Sequence, residues 1–228
     1  MRHQNNVLRD PKVEAVLERL HHTADRQALK LFLHYLPQLP RLFLGQGIHW
    51  NPDRTHFYRD KYIPIEREQG QLLYLLARAI NAQTIVEFGS SYGVSTLYLA
   101  TAIRDNGQGK VIGTEIVPEK VIQARQHIVE AGLTEFVDLR EGDALKTLQD
   151  IDGSIDLVLM DGYPHLALDI LRLLHPQIRQ GGLVISDNVG TFKTALNSYV
   201  EFLRTPSHGY RSATLPLKGG TELSIKAG

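Results

Sequence analysis

Oxygen-bearing side chains follow two apolar runs in the second half of the chain. Asp161 comes directly after the run Ile155–Met160, and Asp187 and Asn188 follow the run 183–186. If both runs are strands of a parallel sheet, their carboxyl ends meet at the edge where ligands bind in α/β proteins. Two carboxylates and an amide oxygen suit Mg²⁺, Mn²⁺ or Ca²⁺, whereas zinc usually recruits His or Cys. These residues therefore predict a divalent-cation site; the alternative is a helix cap and a chain turn.

A cofactor-type loop lies further upstream. Residues 84–96 read TIVEFGSSYGVST, which predicts a strand, a glycine-containing loop and the start of a helix. The β-branched run favours a buried parallel strand. Gly89 and Gly93 allow a sharp turn and a close approach of the backbone to a ligand. Because nucleotide-like cofactors bind at the first strand-to-helix turn of an open α/β sheet, the segment predicts a cofactor site.

The spacing of these glycines excludes two common nucleotide sites. The loop has the form G-x-x-x-G and lacks the middle glycine of G-x-G-x-x-G, which brings the backbone onto a pyrophosphate. It also lacks the Gly-Lys-Ser/Thr of a phosphate-binding loop. The spacing therefore favours a cofactor with a nucleoside and no phosphate, and it makes a nicotinamide oxidoreductase a distant alternative.

Two downstream positions could hold such a nucleoside. Glu115 ends the next predicted strand, where a carboxylate can accept hydrogen bonds from both ribose hydroxyls. Gly142, Asp143 and Ala144 follow the third predicted strand, where an Asp and backbone N–H groups can flank an adenine edge. The alternatives are a solvated acid at a strand end and an ordinary helix-entry turn.

Alternating strands and helices must position these residues. The predicted strands are 84–88, 110–115, 137–140, 155–160 and 183–186. The predicted helices are 66–80, 93–104, 118–131, 144–149, 164–179 and 191–204. At the end of the chain, the runs 210–215 and 221–226 flank a Lys-Gly-Gly turn and predict an antiparallel hairpin. The pattern predicts an α/β fold with a mostly parallel sheet.

The first 64 residues differ in character from the rest. Asp10 and Pro11 are typical of an N-cap and a first helical residue. Apolar spacing predicts a short amphipathic helix over 13–20 and a second helix over 23–36, stopped by a proline, followed by an irregular segment. We therefore predict a helical and irregular cap over 1–64 and a cofactor-binding domain over 65–228.

Together these residues resemble the class I S-adenosylmethionine-dependent O-methyltransferases, and more narrowly the catechol and caffeoyl-coenzyme A O-methyltransferase group. The resemblance runs from about residue 62 to the end of the chain. It rests on IEREQGQ (65–71), EFGSSYGVS (87–95), Glu115, GDA (142–144), MDG (160–162) and SDN (186–188). It implies a Rossmann-like methyltransferase fold, with a mostly parallel seven-stranded sheet, a C-terminal antiparallel hairpin and helices on both faces.

The resemblance also implies a reaction and its site. The activity would be transfer of a methyl group from S-adenosylmethionine to a hydroxyl of a small molecule, leaving S-adenosylhomocysteine, by a homodimer. The implied cofactor residues are Ile65, Glu87, Gly89, Ser90, Ser95, Glu115, Asp143, Ala144 and Asp161. The cation, Mg²⁺ in the first place, would be held by Asp161, Asp187 and Asn188, with Asp161 also catalytic. It would lower the pKa of the acceptor hydroxyl and orient it for in-line displacement.

Two positions depart from the group. Catechol-type members have a general-base lysine three residues after the first metal aspartate, but here Pro164 stands there, with His165 next. His165 is the candidate base because its ordinary pKa lies near neutrality. Alternatively, His165 is only an exposed residue in the first turn of a helix. Lys193 is a weaker candidate for the base. The run 210–215 contains no acid to hold a second hydroxyl, so a catechol acceptor is not expected. Four aromatic residues form either a wall over the acceptor or the packing of the cap: Trp50, Phe57, Tyr58 and Tyr62.

Composition narrows the alternatives. Lys and Arg together number 25, as do Asp and Glu, so the formal net charge is zero. This balance disfavours an RNA-modifying methyltransferase, which would need a basic surface, and leaves a non-catalytic cofactor-binding protein as the other alternative. The absence of cysteine excludes disulfides, thiolate metal sites and cysteine nucleophiles. A polar start and the lack of an uninterrupted apolar run of membrane-spanning length predict a cytoplasmic protein.

Overall fold

A seven-stranded sheet forms the centre of the molecule. The structure is a computed structural model that describes residues 7–228, apart from the side chains of Leu42 and Arg54. The strands are β1 (Thr84–Phe88), β2 (Lys110–Glu115), β3 (Val137–Glu141), β4 (Ile155–Met160), β5 (Ile178–Ser186), β6 (Tyr210–Leu215) and β7 (Thr221–Lys226). Their order in the sheet is β3-β2-β1-β4-β5-β7-β6. The first five strands are parallel, and β7 pairs antiparallel with both β5 and β6, as predicted.

Helices connect the strands. They are α1 (Pro11–Tyr35), α2 (Leu39–Phe43), α3 (Arg67–Ala79), α4 (Val94–Asn106), α5 (Pro118–Glu130), α6 (Ala144–Thr147), α7 (Ala167–Leu174) and α8 (Asn197–Arg204). Short 3-10 turns lie at Leu36–Gln38, Pro52–Tyr58, Thr134–Phe136, Pro164–Leu166, His175–Gln177 and Pro206–His208. None of the helices within residues 7–228 combines the length and apolar composition needed to span a bilayer.

Alternate residues of the strands build a core on each face of the sheet. Ile85 and Leu157 contribute to a core that also contains apolar residues of α1, α3, α4 and α5. Val86 and Val158 contribute to the opposite core, with residues of α6, α7 and α8. Successive side chains of a strand point to opposite faces, so strands buried on both faces need a nearly continuous apolar sequence. The central strands β1 and β4 are largely apolar and buried, whereas the edge strand β3 alternates apolar and charged residues.

The N-terminal region forms one long helix where two were predicted. Asp10 caps it, because its side chain accepts hydrogen bonds from the backbone N–H groups of Lys12 and Val13. The predicted break near residue 21 was wrong, since no proline or glycine there interrupts the backbone hydrogen bonds. The first half of α1 packs into the same core as β1 and α4. The domain boundary at residue 64 stays a prediction.

Three other element predictions needed correction. The run 191–204 is helical only in α8, because the backbone N–H of Thr191 donates to Gly219 of the β6–β7 turn and the chain first follows that turn. The predicted helix 164–179 contains α7 between two 3-10 turns that include Pro164 and Pro176, since proline cannot donate within a helix. Strand β5 begins at Ile178, earlier than predicted, with an irregular register against β4.

Asp156 joins three strands at the end of the sheet opposite the predicted site. Its Oδ2 accepts hydrogen bonds from the backbone N–H groups of Gln83 (2.7 Å) and Thr84 (2.8 Å) at the start of β1. Its Oδ1 accepts from Nε of Arg179 on β5 (2.5 Å). Burial alone would raise the pKa of Asp156, but these hydrogen bonds lower it overall. The carboxylate therefore stabilises the fold as long as it is ionised.

We expect the substitution Asp156→Ala to lower the free energy of unfolding at pH 7 by about 1–3 kcal/mol, because it leaves two amides and a guanidinium without their acceptor. A carboxyl whose pKa is lowered by folding stabilises fully above its unfolded-state pKa of about 4. The difference from the parent chain should therefore shrink as the pH falls below about 4.

Urea unfolding at pH 7 and pH 3 measures both effects. Asp152→Ala is the matched control, because Asp152 is exposed in the turn before β4. Equal stability of the parent and Asp156→Ala at pH 7, or a loss that is unchanged at pH 3, would contradict the assignment.

Candidate functional site

A cavity of about 310 Å³ lies at the carboxyl ends of the parallel strands. Gly89, Glu115, Asp161 and Asp187 line it, and each follows or ends a different strand. A second cavity of about 20 Å³ adjoins it and shares Gly89 and Asp161 with it. Because β1 lies between β2 and β4, the chain crosses over in opposite directions at this point, where α/β sheets bind ligands.

The structure brings together most of the predicted cofactor residues. Those that line one or both cavities are Ile65, Gly89, Ser90, Ser95, Glu115, Asp143, Ala144 and Asp161. Glu87 lines neither cavity and is fully buried beneath the loop. The contact of these residues with a cofactor stays a prediction. That prediction requires the residues to lie around the same pair of adjoining cavities, and they do.

Glu87 shapes the loop from below. Its Oε2 accepts hydrogen bonds from Ser90 Oγ (2.6 Å) and Thr96 Oγ1 (2.5 Å). Gly113 of the neighbouring strand makes room for this contact, because a Cβ there would lie 2.4 Å from Ser90 Oγ. Burial raises the pKa of Glu87, although these hydroxyl groups oppose the change. Glu87 therefore fixes the loop that forms the cavity floor.

Glu115 has a fixed orientation at the end of β2. Its Oε2 accepts a hydrogen bond from the backbone N–H of Ser91 (2.9 Å), and its Oε1 accepts from the backbone N–H of Val117 (2.8 Å). The carboxylate faces the cavity with acceptor capacity left on both oxygens, since each oxygen carries two lone pairs. Two hydroxyl groups on adjacent carbons would fit these acceptors.

Near Glu115, the end of β3 forms the next wall of the cavity. The backbone N–H of Gly142 donates to the carbonyl of Glu115 (2.9 Å), which holds the two strand ends together. Asp143 caps α6, its Oδ1 accepting from the backbone N–H of Leu145 (3.0 Å). Asp143 and Ala144 thus face the same space as Glu115.

The predicted oxygen set also assembles in the cavity wall. Asp161, Asp187 and Asn188 all line the large cavity. Gln69 Nε2 donates to Asp187 Oδ1 (2.6 Å), and Asn188 Nδ2 donates to Asp187 Oδ2 (2.8 Å). Asn188 has a left-handed backbone with φ 62°. Gln69 and Asn188 therefore fix the Asp187 carboxylate beside Asp161.

The charges of this set repel one another. Burial raises the pKa of Asp161 well above its ordinary value, and the neighbouring Asp187 raises it further. Burial also raises the pKa of Asp187 to about 6, against the hydrogen bonds from Asn188 and Gln69. Among residues 7–228, no three His, Cys, Asp or Glu side chains are grouped to hold a metal, so a cation here needs the Asn188 amide. Two carboxylates and an amide oxygen fit a hard divalent cation.

Aromatic side chains close the cavity on the side of the N-terminal segment. Trp50 stacks on Tyr58 (5.3 Å between ring centroids) and meets Phe192 edge-on (5.4 Å). The hydroxyl of Tyr58 lies 2.7 Å from that of Tyr35. We call Tyr35, Trp50, Tyr58, Tyr163 and Phe192, which all line the cavity, the aromatic wall.

The other two aromatic residues predicted for the wall lie elsewhere. Phe57 stacks on His34 (3.7 Å), and Tyr62 stacks on Tyr92 beside the smaller cavity (3.6 Å).

Comparisons with known proteins agree with this geometry. Residues 86–189 match a family described as a methyltransferase domain. A catechol O-methyltransferase of Mycobacterium tuberculosis is 33% identical over 128 residues, which cover 56% of this chain and 57% of that protein. A caffeoyl-CoA O-methyltransferase of Pinus taeda is 32% identical over 150 residues, covering 60% of this chain and 57% of that protein. Residues 86–189 are therefore similar in sequence to methyltransferase domains.

A solved structure supports the predicted fold. The O-methyltransferase of Bacillus cereus, in complex with SAH, superposes with a TM-score of 0.65 at 23% identity, covering 72% of this chain and 82% of that chain. At that identity the likeness shows the fold alone. The chain spans less than two thirds of the length of the two curated relatives. The predicted family resemblance and the predicted fold are confirmed.

Neither candidate base, His165 or Lys193, lines the large cavity. Pro164 does line it, and it starts a 3-10 turn that leaves His165 exposed. Trp50 Nε1 donates to His165 Nδ1 (3.0 Å), so this nitrogen supports the aromatic wall. Lys193 is exposed and also outside the lining. A role of His165 or Lys193 as base stays a prediction.

Some residues that line the large cavity were not predicted. Gln69 lies within the quoted IEREQGQ motif, but nothing in the sequence indicates its contact with Asp187 across 118 positions. Lys120 was also missed. It offered one weak signal, because a lysine in the first turn of a helix is unfavourable beside the positive end of the helix dipole.

We expect the fluorescence of Trp50, the only tryptophan, to titrate with His165. The hydrogen bond from Trp50 requires an unprotonated Nδ1, and burial lowers the pKa of His165. Emission should therefore fall at acidic pH with a midpoint below the ordinary histidine value of about 6.5.

The substitution His165→Phe keeps a ring beside Trp50 and should abolish this titration. His49→Gln, at the exposed neighbour of Trp50, is the control that should leave it unchanged. A titration that persists in His165→Phe would contradict the contact.

Proposed function

We propose that the protein transfers a methyl group from S-adenosylmethionine to a hydroxyl of a small molecule, assisted by a divalent cation. One observation carries the proposal: the Glu115 carboxylate and the Asp161, Asp187 and Asn188 oxygen set face a single cavity. Similarity to proteins named catechol and caffeoyl-CoA O-methyltransferases supports a small hydroxylated acceptor.

The cofactor would occupy the side of the cavity formed by β1, β2 and β3. Glu115 would accept hydrogen bonds from the ribose hydroxyls, and Asp143 with Ala144 would flank the adenine. The smaller cavity beside Ser90 and Ser95 would take the polar end of the methionine moiety, next to the N-terminus of α4. Backbone N–H groups at a helix N-terminus have no partner within the helix and favour a carboxylate.

The acceptor would occupy the side between the oxygen set and the aromatic wall. A cation bound by Asp161, Asp187 and Asn188 would lower the pKa of the acceptor hydroxyl. Gln69 keeps Asp187 oriented. The aromatic wall, which lines the same cavity, would hold the acceptor and exclude water. In a methyl transfer, this positioning supplies much of the rate enhancement.

An assay of purified protein with S-adenosylmethionine, Mg²⁺ and a panel of hydroxylated aromatic compounds tests the function through release of S-adenosylhomocysteine. Methylation of at least one compound is the expected result. Binding of S-adenosylhomocysteine without methylation of any acceptor would favour a non-catalytic protein, and methylation of RNA alone would favour the RNA-modifying alternative.

We expect Glu115→Ala to weaken binding of S-adenosylhomocysteine by about 1–3 kcal/mol, because charged hydrogen bonds to the ribose are lost. Calorimetry measures the change. Glu141→Ala is the matched control, since Glu141 ends β3 opposite Glu115 in register and is exposed. Unchanged affinity in Glu115→Ala would remove this residue from the site.

We expect Asp187→Ala to abolish the stimulation of transfer by Mg²⁺ or Mn²⁺ and to leave cofactor affinity mostly intact, since Asp187 faces the acceptor side. Comparing rates with and without the cation, beside the calorimetric affinity, measures both. Asp169→Ala, at an exposed position of α7, is the control. Undiminished stimulation in Asp187→Ala would remove the cation from the proposal.

We further propose a homodimer. The second half of α1 and the residue after it expose four large apolar side chains that a second copy would cover: Leu29, Phe32, Leu33 and Leu36. Light scattering that gives the 25.7 kDa mass of one chain would contradict this assembly. The cytoplasmic location stays a prediction.

A further inference from the structure

Lys120 is a buried cation in the wall of the large cavity. It lies in the first turn of α5 and is 8% exposed. Its Nζ donates one hydrogen bond, to Ser91 Oγ (3.2 Å), and lies 5.2 Å from the centre of the Tyr92 ring. It forms no ion pair with any carboxylate within residues 7–228.

This arrangement is costly for the free protein. Lysine is almost never buried without a partner, and an ammonium has three donors, of which Ser91 takes one. Burial lowers the pKa of Lys120, and the charges of Glu115, Asp60 and Asp161 only partly oppose this change, while Lys61 adds to it. A ligand that accepts a hydrogen bond from Lys120 inside the cavity would offset the cost.

The neighbours of Lys120 indicate the chemistry of that ligand. Ser91 joins it to Glu115, because its hydroxyl accepts from Lys120 and its backbone N–H donates to Glu115. A carboxylate only accepts hydrogen bonds and an ammonium only donates them, whereas a hydroxyl can do both. A ribose hydroxyl placed here could donate to Glu115 and accept from Lys120 in the same pose.

We infer that Lys120 is a second ribose-binding residue, whose ammonium donates to a ribose hydroxyl of the adenosyl cofactor bound at Glu115. The inference rests on the proposed function. Selectivity for the hydroxylated sugar would then come from two residues. Glu115, whose two oxygens are held by backbone amides, would accept from the ribose, and Lys120 would donate to it.

Calorimetry with S-adenosylhomocysteine and its 2′-deoxy and 3′-deoxy analogues tests the inference. Lys120→Met keeps most of the side-chain stem beside Tyr92 and removes the donors. It should weaken binding of S-adenosylhomocysteine about ten- to a hundred-fold, the range for a lost charged hydrogen bond. For one of the two deoxy analogues, Lys120→Met and the parent chain should have equal affinity, because that analogue already lacks the hydroxyl that Lys120 contacts.

Two further variants make the test complete. Lys146→Met, at an exposed lysine of α6, should bind all three ligands as the parent chain does. Lys120→Leu, which also has no donor, replaces Lys120→Met in the same measurement if the methionine variant does not remain folded at the assay temperature. It should then show the same dependence on the hydroxyl.

The outcomes separate this inference from the function on which it rests. A parent chain that does not bind S-adenosylhomocysteine would overturn the proposed function. A parent chain that binds, with a Lys120 variant that binds equally well, would overturn the role of Lys120 alone. An equal loss of affinity for all three ligands would also overturn it, because it would show that Lys120 only supports the Ser91 loop.

Discussion

The close approach of two loops at the centre of the sheet determines the site. Gly89 follows β1 with φ 96°, and a Cβ on it would lie 2.6 Å from Cα of Gly162, which follows β4. The strand ladder also continues past the strand ends, since the backbone N–H of Asp161 donates to Phe88 and that of Asp187 donates to Met160. The loop that shapes the cofactor side and the residues of the oxygen set are therefore placed by one set of backbone contacts. Any side chain at position 89 would push them apart.

That compact placement has an electrostatic cost. Burial raises the pKa values of Glu87, Asp161 and Asp187, and the charges of Asp187 and Glu87 raise the pKa of Asp161 further, while Lys120 is a buried cation in the same wall. Buried carboxylates without counter-charges lower stability. A sulfonium donor and a divalent cation would both supply positive charge to this region. The charge distribution of the wall is thus complementary to the two ligands of the proposed reaction, and both would stabilise the folded protein.

The sequence predicted the residues at strand ends and missed those that reach them from elsewhere. Glu115, Asp161 and Asp187 could be predicted because the end of a parallel strand has a known place in an α/β sheet. Gln69 and Phe192 could not, since their positions depend on how α3 and the segment after β5 pack. The continuity of α1 was missed for a related reason. Its buried residues lie between Val13 and His21, so the apolar spacing gave no signal for the second half of the helix.

Pro164, which replaces the lysine of the resembled group, changes the role of the loop after β4. In the resembled group this position supplies a lysine beside the reacting oxygen, but here proline starts a 3-10 turn that directs His165 toward Trp50. The loop after β4 therefore contributes Asp161 to the oxygen set and supports the aromatic wall a few residues later. The proton of a bound acceptor would have to leave by another route. On that side of the cavity, Glu66 and Lys218 form an ion pair next to Gln69, which itself holds Asp187. The position that carries a lysine in the resembled group is thus taken by a proline whose turn supports the aromatic wall through His165.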